Sequence, residues 1–129
     1  MFVVLDTNVL VSAFWSRDSN PAQIITLVQN NVIIPCFDSR IMREYRGVLY
    51  RKKFGFERWE INQVLAQIED IGLSVAPVPL SIHFIDEADK KFYETAKHCN
   101  ARLITGNVRH YPRDPQVVTP AAFLADFIK

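Results

Sequence analysis

The sequence predicts an α/β fold, a central parallel sheet of about five strands layered between helices on both faces. Short apolar runs alternate with longer stretches of helical periodicity along the whole chain. The first apolar run leads directly into Asp6-Thr7-Asn8, as a buried strand with a polar cluster at its C-terminal end would. In open α/β sheets ligands bind at that edge. A carboxylate there is costly in a purely structural role, so Asp6 is the first candidate functional residue.

Phe2 to Leu5, four apolar residues with two β-branched, reads as the first strand. Val9 to Trp15 follows as one or two helical turns. Pro21 fits the first position of a helix capped by Asn20, and Ala22 to Gln29 continues it until Asn30-Asn31. Val32 to Ile34 reads as the second strand, with Pro35 at its edge. Asp38 or Ser39 caps a helix reaching about Tyr50. In Glu57 to Ile71, Ile61, Val64, Leu65, Ile68 and Ile71 share one helical face, and Gly72 stands at the C-cap. Val75 to Val78, interrupted by Pro77, is a weak edge strand. Glu87 to Cys99 is helical, Arg102 to Thr105 a strand, and Val117-Val118 a last short strand. Thr119 as cap and Pro120 at N1 then open a terminal helix to Ile128.

A chain of 129 residues fits one domain, residues 1–129, with its own core. Apolar residues make up 49% and charged residues 22%, which argues against disorder. The net charge, 15 − 14 = +1, creates no global field for nucleic acid, so any such attraction must be local. No apolar run approaches the ~20 residues of a membrane helix. Asp6 breaks the N-terminal apolar stretch and no basic segment precedes it, unlike a signal peptide. Cys36 and Cys99 form no metal or redox spacing and fit reduced thiols in a cytoplasmic protein.

Four further positions carry candidate chemistry. Glu44 lies in a helix where Ile41, Tyr45 and Val48 fall roughly 40 to 100° to one side, and Arg40 and Arg51 within about 40° on the other. It therefore borders a core-facing stripe and a basic one, and reads either as a surface acid paired with Arg40 or as a ligand beside a phosphate track. From Asp38 to Lys53 there are six Lys/Arg against two Asp/Glu, a local +4. Asp86 and Asp89 have the spacing of an N-cap and its N3 partner, which accounts well for Asp86. Asp89 shares a face with Phe92, Tyr93 and Ala96, so it heads a helix on the side toward the sheet. Asn107 follows Thr105-Gly106 after a strand; the triplet reads as a turn or as a polar group at the functional edge. His110 reads as a phosphate or packing contact more readily than as an acid or base. Acids without clustered His or Cys point to a hard cation, Mg²⁺ or Mn²⁺, rather than zinc.

VVLDTNVLVSA at the start, SRIMREYRGVL with Glu44, DEADKKFYETA with Asp89, and RLITGNVRHYP extend over nearly the whole chain. In this order they resemble the PIN-domain nuclease family, and within it the VapC-like ribonucleases, toxins of bacterial and archaeal toxin–antitoxin pairs. The resemblance implies a PIN-like three-layer α/β/α sandwich and a metal-dependent endoribonuclease that uses Mg²⁺ or Mn²⁺. Its substrate would be single-stranded RNA, or structured RNA, cut to leave 5′-phosphate and 3′-hydroxyl ends. It also implies a homodimer and a cognate antitoxin as partner. By the same carry-over Asp6, Glu44 and Asp89 hold the metal, Asn107 completes the catalytic set, and Asn8, Thr105 and Asp86 support it. Arg40, Arg51, Arg109 and His110 are the expected phosphate contacts.

The chain departs from the family pattern at Asn107, where many members have an acid. An amide oxygen can still face a cation or orient a water, but the site carries one negative charge fewer. The alternative function is therefore a catalytically weak PIN domain that binds RNA or a protein without cleaving. A phosphoaspartyl enzyme also places Asp after its first strand, yet the dehalogenase-type phosphatases need a second Asp where this chain has Asn8.

Overall fold

The computed structural model describes residues 1–128; Lys129, the end of the expected domain, lies outside the described residues. Five strands form one sheet: β1 (Phe2–Leu5), β2 (Ile34–Phe37), β3 (Leu73–Ser74), β4 (Arg102–Ile104) and β5 (Val117–Val118). Their order is β3-β2-β1-β4-β5 and every pair is parallel. Parallel neighbours need crossover connections; five of the six flanking helices lie in those connections, a 3₁₀ turn lies between β4 and β5, and the sixth helix follows β5. They are α1 (Thr7–Trp15), α2 (Asn20–Gln29), α3 (Ser39–Leu49), α4 (Arg58–Ile71), α5 (Lys90–Cys99) and α6 (Pro120–Ile128). The expected α/β/α sandwich is thus the fold observed. Val3, Val4 and Leu5 of central β1 are all fully buried, so both faces of the sheet are covered.

The winding positions the site. From β1 the chain moves outward through β2 to β3, then returns across the sheet to lay β4 on the other side of β1. The strand order therefore reverses between β1 and β4, where an open sheet leaves a crevice at its C-terminal edge.

Most boundaries follow the sequence reading, and those of α2, β2 and β3 differ. Ser19, not Asn20, caps α2: its Oγ accepts from the Ala22 N–H at 3.2 Å, and Asn20 is the first helical residue. The second strand is Ile34–Phe37 rather than Val32 to Ile34. Asn31 turns the chain at φ 60°, and the Val32 N–H is taken by Leu27 O at 2.9 Å, which leaves Val32 outside the ladder. Pro35 is accommodated inside β2. The preceding Ile34 N–H bonds Met1 O on the β1 side, so the proline nitrogen faces β3, which begins pairing only at Cys36. β3 itself is Leu73–Ser74, two residues before the expected run. Gly72 closes α4 at an ordinary φ of −80°, so close approach is what selects it. A Cβ there would stand 2.3 Å from Ile68 O and 2.6 Å from Pro35 O.

Cys36 and Cys99, far apart in sequence, are free thiols brought side by side; burial and the Cys99 thiol push the Cys36 thiol up. Among the described residues no helix is long and apolar enough to cross a membrane.

The segment between β4 and β5 is tied to α5 through Asp114. Its Oδ2 accepts from Lys97 Nζ at 2.6 Å and from the Tyr93 hydroxyl at 2.7 Å. Burial opposes the Asp114 charge, but Lys97, the Gln116 N–H and Tyr93 outweigh it and hold the carboxyl below its usual value. A depressed carboxyl stabilises the fold above the unfolded-chain pKa near ~3.9, and that contribution is lost as pH falls through the lower folded value. Asp114→Asn is expected to cost about 1 kcal/mol or less at neutral pH, because Lys97 is well exposed, and to flatten the acid limb of the stability curve. Urea titrations between pH 3 and 7 check it.

Candidate active site

β1 and β4 deliver two side chains to the crevice between them. The Asp6 N–H continues the ladder onto Ile104 O at 3.0 Å, which sets Asp6 beside Thr105. The Thr105 hydroxyl donates to Asp6 Oδ2 at 2.8 Å, and the Tyr111 hydroxyl donates to the same oxygen at 2.8 Å. Oδ1 receives only a long 3.4 Å contact from the Asn8 N–H, as the cap of α1. Asp6 is 6% exposed, and burial pushes its carboxyl up; Thr105, Tyr111 and Asn8 pull it back, and the Glu44 charge raises it further. Asp6 is thus a nearly enclosed carboxylate with one oxygen saturated and one left almost free.

Asn8 clamps the edge. Its Oδ1 accepts the Gly106 N–H at 3.0 Å and its Nδ2 donates to Thr105 Oγ1 at 3.4 Å. Thr105 Oγ1 also accepts the Asn107 N–H at 3.0 Å. The backbone of the Thr105-Gly106-Asn107 turn is thereby fixed to α1, while the Asn107 side chain is exposed at its rim and its amide makes no hydrogen bond among the described residues.

Glu44 reaches the same edge from α3. The helix starts under the Asp38 cap, whose Oδ1 accepts the Ile41 N–H at 2.9 Å, and the buried Tyr45 hydroxyl ties it to Leu5 O at 2.5 Å. Glu44 accepts from the Thr7 hydroxyl and pairs with Lys91 Nζ at 2.7 Å. Its ion pair is therefore with Lys91 and not, as the i−4 spacing allowed, with Arg40. Arg40 turns instead to Asp38 at 2.6 Å and to the buried Glu94 at 3.0 Å, a clamp between α3 and α5.

Asp89 ends a 3₁₀ turn, Glu87–Asp89, that Asp86 caps through the Ala88 N–H at 3.0 Å. Asp89 Oδ2 lies 3.2 Å from His110 Nδ1. Burial, then the charges of Asp6 and Asp86, push its carboxyl up, and His110 opposes them. Asp6 senses Glu44, and Asp89 senses Asp6. Tyr111, pushed up first by burial, senses all three acids.

Oxygen donors repelling one another at a crevice fit a hard divalent cation. As placed, no three His, Cys, Asp or Glu side chains among the described residues stand close enough to hold one. Glu44 is engaged by Thr7 and Lys91, and Asp89 by His110, so an ion would compete with these partners. The nearly free Oδ1 of Asp6 is the strongest fit.

Of the expected phosphate contacts, Arg109 is exposed beside Asn107 and His110 stands on Asp89. Arg51 is exposed beyond the end of α3, away from this cluster, and Arg40 is held by its two acids. Sequence reasoning missed Thr7, Lys91 and Tyr111. Thr7 adjoins Asp6 and Lys91 lies two residues past Asp89, so proximity to named acids could have flagged both. Nothing in the sequence signals Tyr111, which meets Asp6 across 105 residues. Tyr111→Phe keeps the ring against Phe84 but removes a donor to a buried carboxylate. The expected cost is about 1.5 kcal/mol in denaturant unfolding.

Comparison with known proteins gives one result: a family model described as PIN domain matches residues 2–109. No curated protein and no solved structure gives a match.

Proposed function

The chain belongs to the PIN domain family, whose members are generally nucleases, and from that premise we propose that it is an Mg²⁺- or Mn²⁺-dependent endoribonuclease acting on single-stranded RNA. What supports the reading is that Asp6 stands at the end of β1 beside the reversal of strand order, that its neighbour Thr7 donates to Glu44 of α3, and that Tyr111 and His110, adjacent in the chain, contact Asp6 and Asp89. Bound there, a divalent ion supplies Lewis acidity for phosphodiester hydrolysis.

The three acids are the proposed ligands, with Asp6 Oδ1 the principal donor atom. Thr105 and Tyr111 hold the other oxygen and so fix how the carboxylate faces the crevice. Asn8 keeps the Thr105 turn in register, which sets Asn107 and Arg109 at the mouth. The exposed Arg109 guanidinium would meet a backbone phosphate. Lys91, now on Glu44, brings a second cation to the same edge. A role as the toxin of a toxin–antitoxin pair and a homodimer are part of this proposal and rest on the family resemblance; so are a cytoplasmic location, which rests on the two isolated cysteines, and one domain over residues 1–129, which rests on length.

The exposed Asn107, where an acid would add charge, favours a second reading, a PIN domain that binds RNA or a protein partner without cutting. Calorimetric titration with Mn²⁺ and Mg²⁺, alongside cleavage of a single-stranded RNA with and without a chelator, separates the two. Binding together with chelator-sensitive cleavage supports the nuclease; RNA retention without metal response supports the second reading.

A further inference from the structure

One exposed cluster lies outside the carboxylate site. Trp15, the last residue of α1, stands edge-on to Phe54 at 6.0 Å and to Phe56 at 5.3 Å between ring centroids. Phe54 and Phe56 stack on each other at 5.2 Å, only 6° from parallel, and Phe14 stacks on Phe56 at 5.2 Å. Gly55, at φ 66°, makes the turn that brings the two phenyl rings together. The rings therefore support one another, yet Trp15 remains 61% exposed.

Arg51, Lys52 and Lys53 border these rings, all three exposed, with Lys53 Nζ 5.2 Å from the Phe54 centroid. None of them has an acidic partner among the described residues, and no acid occurs from Tyr45 to Phe56. The nearby Glu60 is occupied by Arg17 at 3.0 Å. An open indole beside unneutralised cations is the chemistry that takes an unpaired base and its phosphates. A base-paired duplex offers no free base face to it.

The cluster is also connected to the carboxylate crevice. α1 starts at Thr7, beside Asp6, and ends at Trp15; α3 carries Glu44 and ends just before Arg51. Eight residues of helix rise set Trp15 about 12 Å along the axis from Thr7. That is the span of three to four stacked nucleotides at about 3.4 Å each.

We propose that Trp15, Phe54 and Phe56 with Arg51, Lys52 and Lys53 form a stacking subsite for single-stranded RNA, holding unpaired bases a few nucleotides from the bond cut at the carboxylate crevice. The proposal rests on the nucleic-acid reading of that crevice, and the test keeps the two apart. In a Trp59→Phe background Trp15 is the sole indole. A short oligouridylate titrated in chelator is expected to quench its emission, and the same sequence annealed to its complement is not. Trp15→Ala is expected to weaken oligouridylate binding about tenfold and to raise KM with little change in kcat. The double variant Lys52→Glu with Lys53→Glu leaves the rings in place and is expected to weaken binding similarly and to flatten its salt dependence. Quenching and variant effects without any metal-dependent cleavage by the wild type would uphold the subsite and remove the nuclease reading. Cleavage with no quenching and unchanged KM in both variants would overturn the subsite, as would quenching that follows protein concentration alone, the mark of a second copy.

Discussion

Asp6→Asn is expected to lower metal-dependent cleavage of single-stranded RNA at least about 100-fold while the protein stays folded. The lower bound follows from outer-shell losses, which alone cost 10–100-fold in metal sites; a direct ligand costs more. The asymmetry of the two carboxylate oxygens explains why. Oδ2 receives the Thr105 and Tyr111 hydroxyls, and an amide oxygen can accept both, so the local packing survives. The amide nitrogen then takes the place of Oδ1, exchanging the one free acceptor for a donor and deleting the charge. Because Asp6 is buried near Glu44, its charge opposes folding of the metal-free protein. The variant is therefore expected to unfold at an equal or higher denaturant midpoint without metal, and to lose the stabilisation that added Mn²⁺ gives the wild type. Full metal-dependent cleavage by Asp6→Asn would show that the ion is held elsewhere.

What the sequence made legible is what local physics decides. Phe2 to Leu5 running into Asp6 identifies β1 and the carboxylate at its C-terminal end because an apolar run and an abrupt carboxylate need no tertiary context. The same holds for a cap at Asp38 or Ser39, which the structure assigns to Asp38, and for the single-faced stripe of α4. The errors occur where long-range geometry decides. Pro35 reads as the end of a strand, yet it lies inside β2, since its missing N–H points at a neighbour that starts one residue later. Gly72 is the C-cap the sequence indicates, but why it must be glycine is a long-range matter: the carbonyls of Ile68 and Pro35 leave no room for a Cβ.

The candidate site divides along the same line. Asp6 is legible as a carboxylate at a strand end, whereas Asn8 and Thr105 enter through the family resemblance, and the structure joins all three by hydrogen bonds. Arg40 is indistinguishable in sequence from a free surface arginine until Glu94 arrives from α5, 54 residues away. Tyr111 is invisible for the same reason. Lys91 could be seen as a residue but not as the partner of Glu44, because that pairing depends on how α5 crosses α3.

Asn107→Asp is the substitution that decides between the two functional readings. Its backbone N–H is already fixed on Thr105 Oγ1 and its side chain is exposed, so the exchange alters charge at the rim and little else. One added negative charge about 4 Å from a divalent ion in a water-like dielectric contributes about 2 kcal/mol, roughly thirtyfold in affinity. Calorimetry with Mn²⁺ is therefore expected to show tighter binding in the variant, and low salt should enlarge the difference. If the wild type binds and cuts and the variant binds more tightly, Asn107 is a tuned position in a working nuclease, where affinity is limited by the missing charge. If the wild type does neither and Asn107→Asp acquires both, the natural chain is a binding domain whose carboxylates fall one charge short of holding an ion. If neither protein responds to metal, the raised carboxyls of Asp6 and Asp89 reflect only burial and their acidic neighbours, and the cation reading of the crevice is wrong.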